Sequence, residues 1–392
     1  MNFKRKTIKE IAPLPFPVYF GIVAFLAIGG LADSTYLAIS HFRVYTDMAY
    51  KSFCAISKAL NCDTVSQSPY SIFLDVPVPV WGIIGYIFFL LLMVFAWKKT
   101  ARKRRMWSLL LVVALVFSIC SVSLAFISTF YIKSYCLMCV ISYGVNFMLL
   151  FYTWLIRKRY KSEGVVEGLK LDVSFLWRDR RISTPIFVVF LTGFVFVKGV
   201  LPSYWQLTAP LHSSEIAHGQ TADGHPWIGA ENPLLEITEF TDYQCFQCKK
   251  MHFFLRQLIA EYPQKIRLVH RHFPMDHEVN FIVKEPLHVG SGKLALFAIY
   301  AASQNKFWEI NDQLYNIPRN RDKVNIKELA EKTGIDDKHL ARALRDPGIR
   351  RQLMIDIREG IKCNITATPS FIINGEVTTG QIPPEILAAV RD

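Results

Sequence analysis

The chain has 392 residues, of which 52% are hydrophobic, a share too large for a single water-soluble globule of this length. We therefore expect at least two units, one of them in a lipid bilayer. The formal charge is +13, but the basic residues fall in short runs beside apolar segments. This placement indicates membrane topology and argues against nucleic acid as a partner.

Apolar segments recur through the first half of the chain and are long enough, or nearly so, to cross a bilayer. A helix needs about 20 residues to cross roughly 30 Å of hydrocarbon. The sequence therefore predicts five membrane spans, at approximately 16–41, 79–97, 107–131, 137–156 and 184–201.

Lys and Arg between these segments predict their orientation. The N-terminus (Lys4, Arg5, Lys6), the loop 98–105 and the stretch 157–181 are all rich in these residues, and such regions stay in the cytoplasm. Residues 42–78, 132–136 and everything after about 202 then lie outside. Every paired cysteine falls on that side, so we expect a multi-pass protein of the bacterial inner (cytoplasmic) membrane with its redox cysteines facing the periplasm, where disulfides persist.

The last part of the chain predicts a soluble α/β domain at 234–392, after a region at 161–233 made of a cytoplasmic loop, the fifth span and a linker. Residues 234–240 and 266–269 have the pattern of strands, and residues 292–360 are mostly helical in pattern. A further strand at 369–373 precedes Asn374-Gly375, which predicts a hairpin turn.

A Cys-x-x-Cys pair, Cys245 and Cys248, joins the first of these strands to an amphipathic helix. The helix N-terminus favours the thiolate of Cys245 and hence nucleophilic attack, and Cys248 lies one turn later, where it can resolve a mixed disulfide. The alternative is half of a zinc site, which needs two further ligands.

Residues 226–392 resemble the DsbA-like branch of the thioredoxin superfamily. The resemblance rests on Glu239-Phe240-Thr241-Asp242-Tyr243-Gln244-Cys245, on Phe307-Trp308-Glu309 in a helical insertion, and on Ala367-Thr368-Pro369-Ser370-Phe371. It implies a cis-proline, Pro369, facing the cysteine pair. Phe246 and Gln247 differ from the Pro-His of the best-known member, and these positions tune the redox potential.

Three histidines and two unpaired cysteines are interpreted as structural residues. His270, His272 and His277 are compatible with a metal cluster, but we expect polar residues at a strand edge and no metal site. We interpret Cys363 as a small core residue and Cys120 as a packing residue within a span.

Two further cysteine pairs belong to the membrane unit. Cys54 and Cys62 lie in the first outer loop, where they act either as a structural clip or as a shuttle. Cys136 and Cys139 form a Cys-x-x-Cys that opens an apolar helix at the same membrane face. A helix already hydrogen-bonded in lipid gains little from a local disulfide, so this pair favours redox chemistry.

Residues 16–156 resemble the vitamin K epoxide reductase family. The resemblance rests on an ordered set of motifs, namely Gly30-Leu31-Ala32-Asp33-Ser34-Thr35-Tyr36-Leu37, Cys54 with Cys62-Asp63-Thr64-Val65, Ser68-Pro69-Tyr70-Ser71, Val76-Pro77-Val78-Pro79-Val80-Trp81-Gly82, and Cys136-Leu137-Met138-Cys139 with Tyr143 and Asn146. It implies a four-helix core, here residues 1–160, linked by a fifth span to the thioredoxin-like domain.

The resemblance also implies roles for individual residues. Cys136 and Cys139 match the active-site pair beside a quinone (ubiquinone or menaquinone), and Cys54 and Cys62 match the shuttle pair. The residues matching the quinone pocket are Ser68, Tyr143 and Asn146. Asp33 lies inside the first span, where a carboxylate is costly and indicates a role or a partner.

The expected activity is that of a quinone-dependent protein-disulfide oxidoreductase. Its partners are the membrane, reduced secreted or periplasmic proteins, and the quinone pool. Two alternatives stay open at this point. In the first, the same relay of cysteines works as a quinone reductase or as a disulfide isomerase. In the second, the chain belongs to another class and is a membrane-anchored metal carrier built from cysteine pairs.

Overall fold

The computed structural model describes residues 14–57, 59–97, 105–160, 163–178, 180–200, 202–209, 216–317, 327, 330–331 and 334–391. The chain divides into two compact units, one ending at Ser203 and the other beginning at Tyr204. The predicted basic runs at the N-terminus and at 98–104 lie outside the described residues.

Long apolar helices make up most of the first unit. They are α1 (Phe16–Thr46), α3 (Val78–Trp97), α4 (Trp107–Ile127) and α5 (Leu137–Arg159), and a wide helical turn at Ser128–Ile132 extends α4. All four are long and apolar enough to cross a membrane, because each contains an apolar stretch close to the length that hydrocarbon requires. The predicted four-helix core is confirmed.

Close contacts between α1 and α3 depend on small residues. Gly30 of α1 lies directly against the ring of Tyr86, and Gly82 of α3 lies against Ser34. A side chain at either glycine would collide with its neighbour, so the two backbones approach as helices do in membranes. Buried aromatic and aliphatic side chains of all four helices, Trp107 among them, fill the space between the helices.

A short loop region between α1 and α3 carries the first cysteine pair. It contains α2 (Cys62–Ser66), a short helical turn (Pro69–Ser71), and a two-stranded hairpin of β1 (Ile72–Phe73) and β2 (Val76–Pro77).

Two more helices follow α5, namely α6 (Val165–Arg178) and α7 (Arg180–Val200). The sequence predicted a cytoplasmic loop where α6 forms. The buried Asp172 of α6 accepts hydrogen bonds from the backbone N–H groups of Met106, Ser108 and Leu109, and so attaches α6 to the start of α4. The predicted fifth span coincides with α7, whose apolar part is Ser183–Val195; its crossing of the membrane stays a prediction.

The second unit is built on a six-stranded sheet in the order β3-β4-β6-β5-β7-β8. The strands are β3 (His218–Gln220), β4 (Pro226–Gly229), β5 (Leu235–Thr241), β6 (Ile266–His272), β7 (Ser370–Ile373) and β8 (Glu376–Thr379). Among the paired strands of this sheet, β5 and β6 are parallel and the other described pairs are antiparallel. The strands β3 and β4 lie within the stretch that the sequence assigned to the linker, because three- and four-residue strands containing Gly and Pro give little periodic signal.

Helices connect and cover these strands, as the sequence predicted for this α/β domain. They are α8 (Phe246–Glu261), α9 (Ser291–Ser303), α10 (Phe307–Leu314), α11 (Asp337–Ala343), α12 (Pro347–Lys362) and α13 (Pro384–Arg391). The hairpin between β7 and β8 turns at Asn374 and Gly375, both with positive φ, as the Asn-Gly pair predicts.

Candidate active site

The four cysteines of the first unit meet in one cluster. Cys54 and Cys62 form a disulfide with a Cα–Cα distance of 5.7 Å. Both are buried together with Cys136, and Cys139 packs against the three of them. Side chains of Leu37, Val65, Leu137 and Met138 close the cluster. The first loop therefore delivers its disulfide to the helix that carries the second pair.

Backbone hydrogen bonds explain how the loop reaches that helix. The N–H of Tyr135 donates to the carbonyl of Ala59 at 2.8 Å, and the N–H of Asn61 donates to the carbonyl of Tyr135 at 2.9 Å. The Asn61 side chain also accepts from the N–H groups of Asp63 and Thr64, capping α2 directly before Cys62. Asn61 thus positions Cys62 next to the segment that ends in Cys136.

Cys136 caps the N-terminus of α5. Its Sγ accepts a hydrogen bond from the backbone N–H of Cys139 at 3.2 Å. An N-terminal N–H group and the positive end of the helix dipole both favour a thiolate at this position. Cys139 lies one turn further along the helix. Neither Cys136 nor Cys139 takes part in a disulfide in this structure.

The residues predicted for a quinone pocket differ in how many of their hydrogen-bonding groups already have a partner in the protein. Ser68 donates to the carbonyl of Val65 at 2.7 Å, and Val65 packs against the cysteines. Tyr143 is half-buried on α5, one turn after Cys139. The Asn146 amide already accepts from Tyr86 at 2.7 Å and donates to Ser121 at 2.9 Å, so it first of all links three helices.

Asp33 supplies a buried polar atom with no partner beside the same helix. Its Oδ2 accepts a hydrogen bond from Ser142, which lies three residues after Cys139, whereas its Oδ1 has none among the described residues. A buried oxygen without a partner is costly, and it fits a polar ligand that carries a proton or a hydroxyl. Quinone oxygens accept hydrogen bonds, so the hydroxyl groups of Ser68 and Tyr143, rather than this carboxylate, are the groups that fit a quinone.

The second unit presents its own cysteine pair at the start of α8. The backbone N–H of Cys248 donates to Cys245 Sγ at 3.3 Å, and the Cys245 thiol donates to the carbonyl of Thr368 at 3.4 Å. The peptide bond between Thr368 and Pro369 is cis. The structure therefore brings the predicted residues Cys245, Cys248 and Pro369 to one place.

The two thiols of this pair differ in their acidity. The hydrogen bond from the Cys248 thiol lowers the pKa of Cys245 to about 7, assisted by the charge of His288 and opposed by burial. Burial, together with the neighbouring Cys245, raises the pKa of Cys248 well above its usual value. Cys245 is thus the nucleophile of the pair, and Cys248 is the thiol that resolves a mixed disulfide.

Asp242 organises the loop that carries His288. Its Oδ2 accepts hydrogen bonds from His288 Nδ1 and from the Ser291 hydroxyl, both at 3.0 Å, and from the N–H of Met275. No sequence pattern indicates a role for His288. It follows the cysteines by some 40 residues in an irregular loop, so no local pattern associates it with them.

The expectation for His270 and His272 is wrong. Both are fully buried rather than at an edge, because β6 lies inside the sheet between β4 and β5. His270 Nδ1 lies 2.8 Å from Glu239 Oε1, and its Nε2 lies 3.2 Å from His272 Nδ1. Burial alone would raise the pKa of Glu239, but the adjacent His252 ring, 3.7 Å away, and the hydrogen bond with His270 lower that pKa to about 2.

Two single cysteines also differ from expectation. Cys120 is exposed on α4, and Cys363 is half-buried at the end of α12. Neither is a core residue, because no other described element fully covers the side of the helix on which each cysteine lies. His277 lies in a loop and is about one-third exposed. No group of three or more His, Cys, Asp or Glu side chains in the described residues could hold a metal ion.

Comparisons with known proteins assign the two units to families. Residues 21–154 match the model of the vitamin K epoxide reductase family, and residues 221–391 match a thioredoxin family model.

Among solved structures, the chain is similar to BdbD from Bacillus subtilis (20% identity, TM-score 0.35, 45% of this chain and 96% of that chain). It is also similar to a thioredoxin-like oxidoreductase from Silicibacter pomeroyi (21%, 0.35, 44% and 92%).

Two curated relatives are named as Na(+)/H(+) antiporters. NhaA 3 of Salinispora tropica is 24% identical over 161 residues, which are 41% of this chain and 23% of that protein. NhaA of Herminiimonas arsenicoxydans is 23% identical over 165 residues, 42% of this chain and 24% of that protein. The chain thus spans less than a quarter of the length of these relatives. By these family matches, residues 21–154 belong to a vitamin K epoxide reductase family domain and residues 221–391 to a thioredoxin family domain.

Proposed function

We propose that the chain is a membrane thiol–disulfide oxidoreductase that forms disulfides in secreted or periplasmic proteins and passes the electrons to ubiquinone or menaquinone. The observation that carries this proposal is the cluster of Cys54, Cys62, Cys136 and Cys139, in which a buried disulfide packs against a Cys-x-x-Cys at a helix N-terminus. A structural clip alone does not require two further thiols at its side.

The proposed relay begins in the second unit. A substrate dithiol reduces the Cys245–Cys248 disulfide, and the substrate leaves with a new disulfide. The Cys245 thiolate, favoured by its pKa of about 7, then attacks Cys54, and Cys62 leaves as a thiolate. Cys54 is fully buried, so the loop must open for this attack. In the described part of the loop, two backbone hydrogen bonds join it to Tyr135. Cys248 next attacks Cys245, which restores the Cys245–Cys248 disulfide and frees Cys54.

The relay continues within the first unit. Cys62 attacks Cys136 in a Cys136–Cys139 disulfide, and Cys139 leaves as a thiolate. Cys54 then attacks Cys62, which restores the Cys54–Cys62 disulfide and frees Cys136. A bound quinone would supply the two-electron acceptor that restores the Cys136–Cys139 disulfide. Ser68 and Tyr143 are the residues that would hold it. Linkage of the two units in one chain raises the local concentration of the Cys245 pair at the loop.

The proposed location is the bacterial inner membrane, with the second unit and all three pairs on the periplasmic side. Arg105 precedes α4, and Arg157, Lys158 and Arg159 end α5. These positions lie at the opposite ends of α4 and α5 from Cys136. Basic residues at one end support a cytoplasmic location for that end.

Quinone consumption tests the proposal directly. The full chain in lipid nanodiscs is supplied with a reduced, unfolded protein and a quinone, and the loss of quinone absorbance is followed together with disulfide formation. We expect turnover by the wild-type chain, none by Cys136→Ala, and normal turnover by the control Cys120→Ala. Full turnover by Cys136→Ala would refute the route, and disulfide rearrangement without quinone loss would indicate an isomerase.

A further inference from the structure

The helix α6 leaves a row of apolar side chains uncovered. This apolar row consists of Val166, Leu169, Val173 and Trp177. Spacings of three and four residues place its members on one face of the helix. Val166, Val173 and Trp177 are 70%, 56% and 74% exposed, so no element in the described part of the chain covers the row. An exposed apolar surface of this kind indicates a partner.

The packed side of α6 is a different one. Gly168 lies against Ser108 so closely that a side chain at this position would collide with it. The buried Asp172 accepts hydrogen bonds from backbone N–H groups at the start of α4, and Phe175 packs against the core of the first unit. With about 3.6 residues per turn, these positions lie on another side of α6 than the apolar row. The contacts with α4 therefore hold the row turned away from α4.

These contacts also set the level of α6 relative to the bilayer. The helix α4 begins at Trp107 and is long and apolar enough to cross a membrane, so its first turn lies where the hydrocarbon ends. α6 is bonded to this turn, and a short loop joins it to α5, another membrane-capable helix. Its 14 residues are too few to cross the hydrocarbon, which takes about 20. α6 therefore lies along the membrane surface, where headgroups meet acyl chains.

Basic side chains border the apolar row. Lys170 and Arg178 are both exposed and lie next to the row, two turns apart on one side of α6. Glu167 is the one exposed carboxylate among residues 165–178. Further exposed basic residues precede and follow the helix, namely Lys158, Arg159, Arg180 and Arg181. This end of the bundle thus presents a positive surface, which attracts the phosphate groups of anionic lipids.

We infer that α6 is an interfacial helix that binds anionic phospholipids. Its apolar row enters the acyl-chain boundary, and Lys170 and Arg178 contact the headgroup phosphates. The long stems of these two side chains extend along apolar surface while their charges reach the phosphates. The indole of Trp177 suits the level at which headgroups meet acyl chains. Lipid fits better than a protein partner because α6 adjoins two membrane helices and positive charge borders its apolar row. None of this binding depends on the redox chemistry of the cysteines.

A photoreactive side chain in the apolar row identifies what contacts it. Val173→p-benzoylphenylalanine is introduced into the full chain, in nanodiscs of equal parts phosphatidylcholine and phosphatidylglycerol. After irradiation, mass spectrometry of the peptide that contains position 173 identifies the adducts. The same substitution at Ile119, which is 56% exposed in the middle of a span, is the lipid-facing reference. The same substitution at Glu167 is the control on the polar side of α6.

We expect phospholipid adducts at position 173 in about the same yield as at position 119, and about fivefold fewer at position 167. Adducts at position 173 to a second copy of the chain, or to another segment of the same chain, in place of lipid would overturn the proposal. A lipid yield at position 173 as low as at position 167 would overturn it as well.

The headgroup of the trapped lipid tests the role of the basic side chains. At position 173, adducts of phosphatidylglycerol should exceed those of phosphatidylcholine by about threefold or more, because the border of the row is positive. Lys170→Gln combined with Arg178→Gln should bring this ratio close to one. Lys338→Gln combined with Arg345→Gln removes two exposed positive charges from the second unit. It is the matched control and should leave the ratio unchanged. Equal adducts of the two lipids without these substitutions would overturn the anionic-lipid site.

Quenching by brominated lipid is a second readout that needs no photoreactive side chain. The difference in fluorescence between the wild type and Trp177→Phe is the emission of Trp177. In nanodiscs whose acyl chains carry bromine near the headgroup, this emission should fall by about half or more. If Val173→p-benzoylphenylalanine does not fold, the quenching of Trp177 decides alone. Unquenched emission of Trp177 would contradict the placement of the apolar row in lipid.

Discussion

Removal of the Cys248 thiol should make Cys245 a weaker nucleophile at neutral pH. The pKa of Cys245 is lowered to about 7, first of all by the hydrogen bond from Cys248, so about half of Cys245 is thiolate at pH 7. A hydrogen bond to a charged group contributes about 1.5 kcal/mol, which corresponds to roughly a tenfold change in acidity. In Cys248→Ala the thiolate fraction at pH 7 should therefore fall to about one tenth.

The assay is the pH profile of Cys245 alkylation by iodoacetamide, measured on the fully reduced full chain by mass spectrometry of its peptide. The profile of Cys248→Ala should shift to higher pH, because the thiol now loses its proton less readily. Cys363→Ala, which removes a thiol outside every pair, is the control and should leave the profile unchanged. An unshifted profile in Cys248→Ala would show that the helix N-terminus and His288 alone set the acidity of Cys245.

Two further predictions concern residues other than the paired cysteines. His288→Gln removes a positive charge that lowers the pKa of Cys245, so alkylation of Cys245 at pH 7 should slow about threefold; a faster reaction would contradict the role assigned to His288. Asp172→Ala leaves three backbone N–H groups of α4 without their acceptor, which should destabilise the first unit by about 3 kcal/mol. Its thermal unfolding midpoint in nanodiscs should fall well below that of the control Ser174→Ala, and equal midpoints would count against the account of α6.

The elements that follow from local chemistry were predictable from the sequence. The helices α1, α3, α4 and α5 follow from the length of apolar sequence that hydrocarbon requires. The position of Cys136 and of Cys245 at helix N-termini follows from where each apolar pattern begins. The turn at Asn374-Gly375 follows from its residue types, because Asn and Gly readily adopt the positive φ angles that this turn requires.

The features that depend on distant contacts were not predictable in the same way. Asp33 meets Ser142, 109 residues later, and Asp242 meets His288, 46 residues later. The burial of His270 depends on the order of strands in the sheet, which places β6 inside it. The strand order cannot be read from a short stretch of neighbouring residues. For this reason, the sequence pattern predicted an edge position for His270.

The most direct measurement of the central claim is disulfide mapping in a chain carrying Cys139→Ala. Without Cys139, the mixed disulfide between the loop pair and the helix pair has no resolving thiol on α5. Tryptic mapping of the non-reduced chain should recover a peptide pair joined through Cys62 and Cys136, with Cys54 alkylated. Recovery of an intact Cys54–Cys62 disulfide and a free Cys136 in every molecule would contradict the relay.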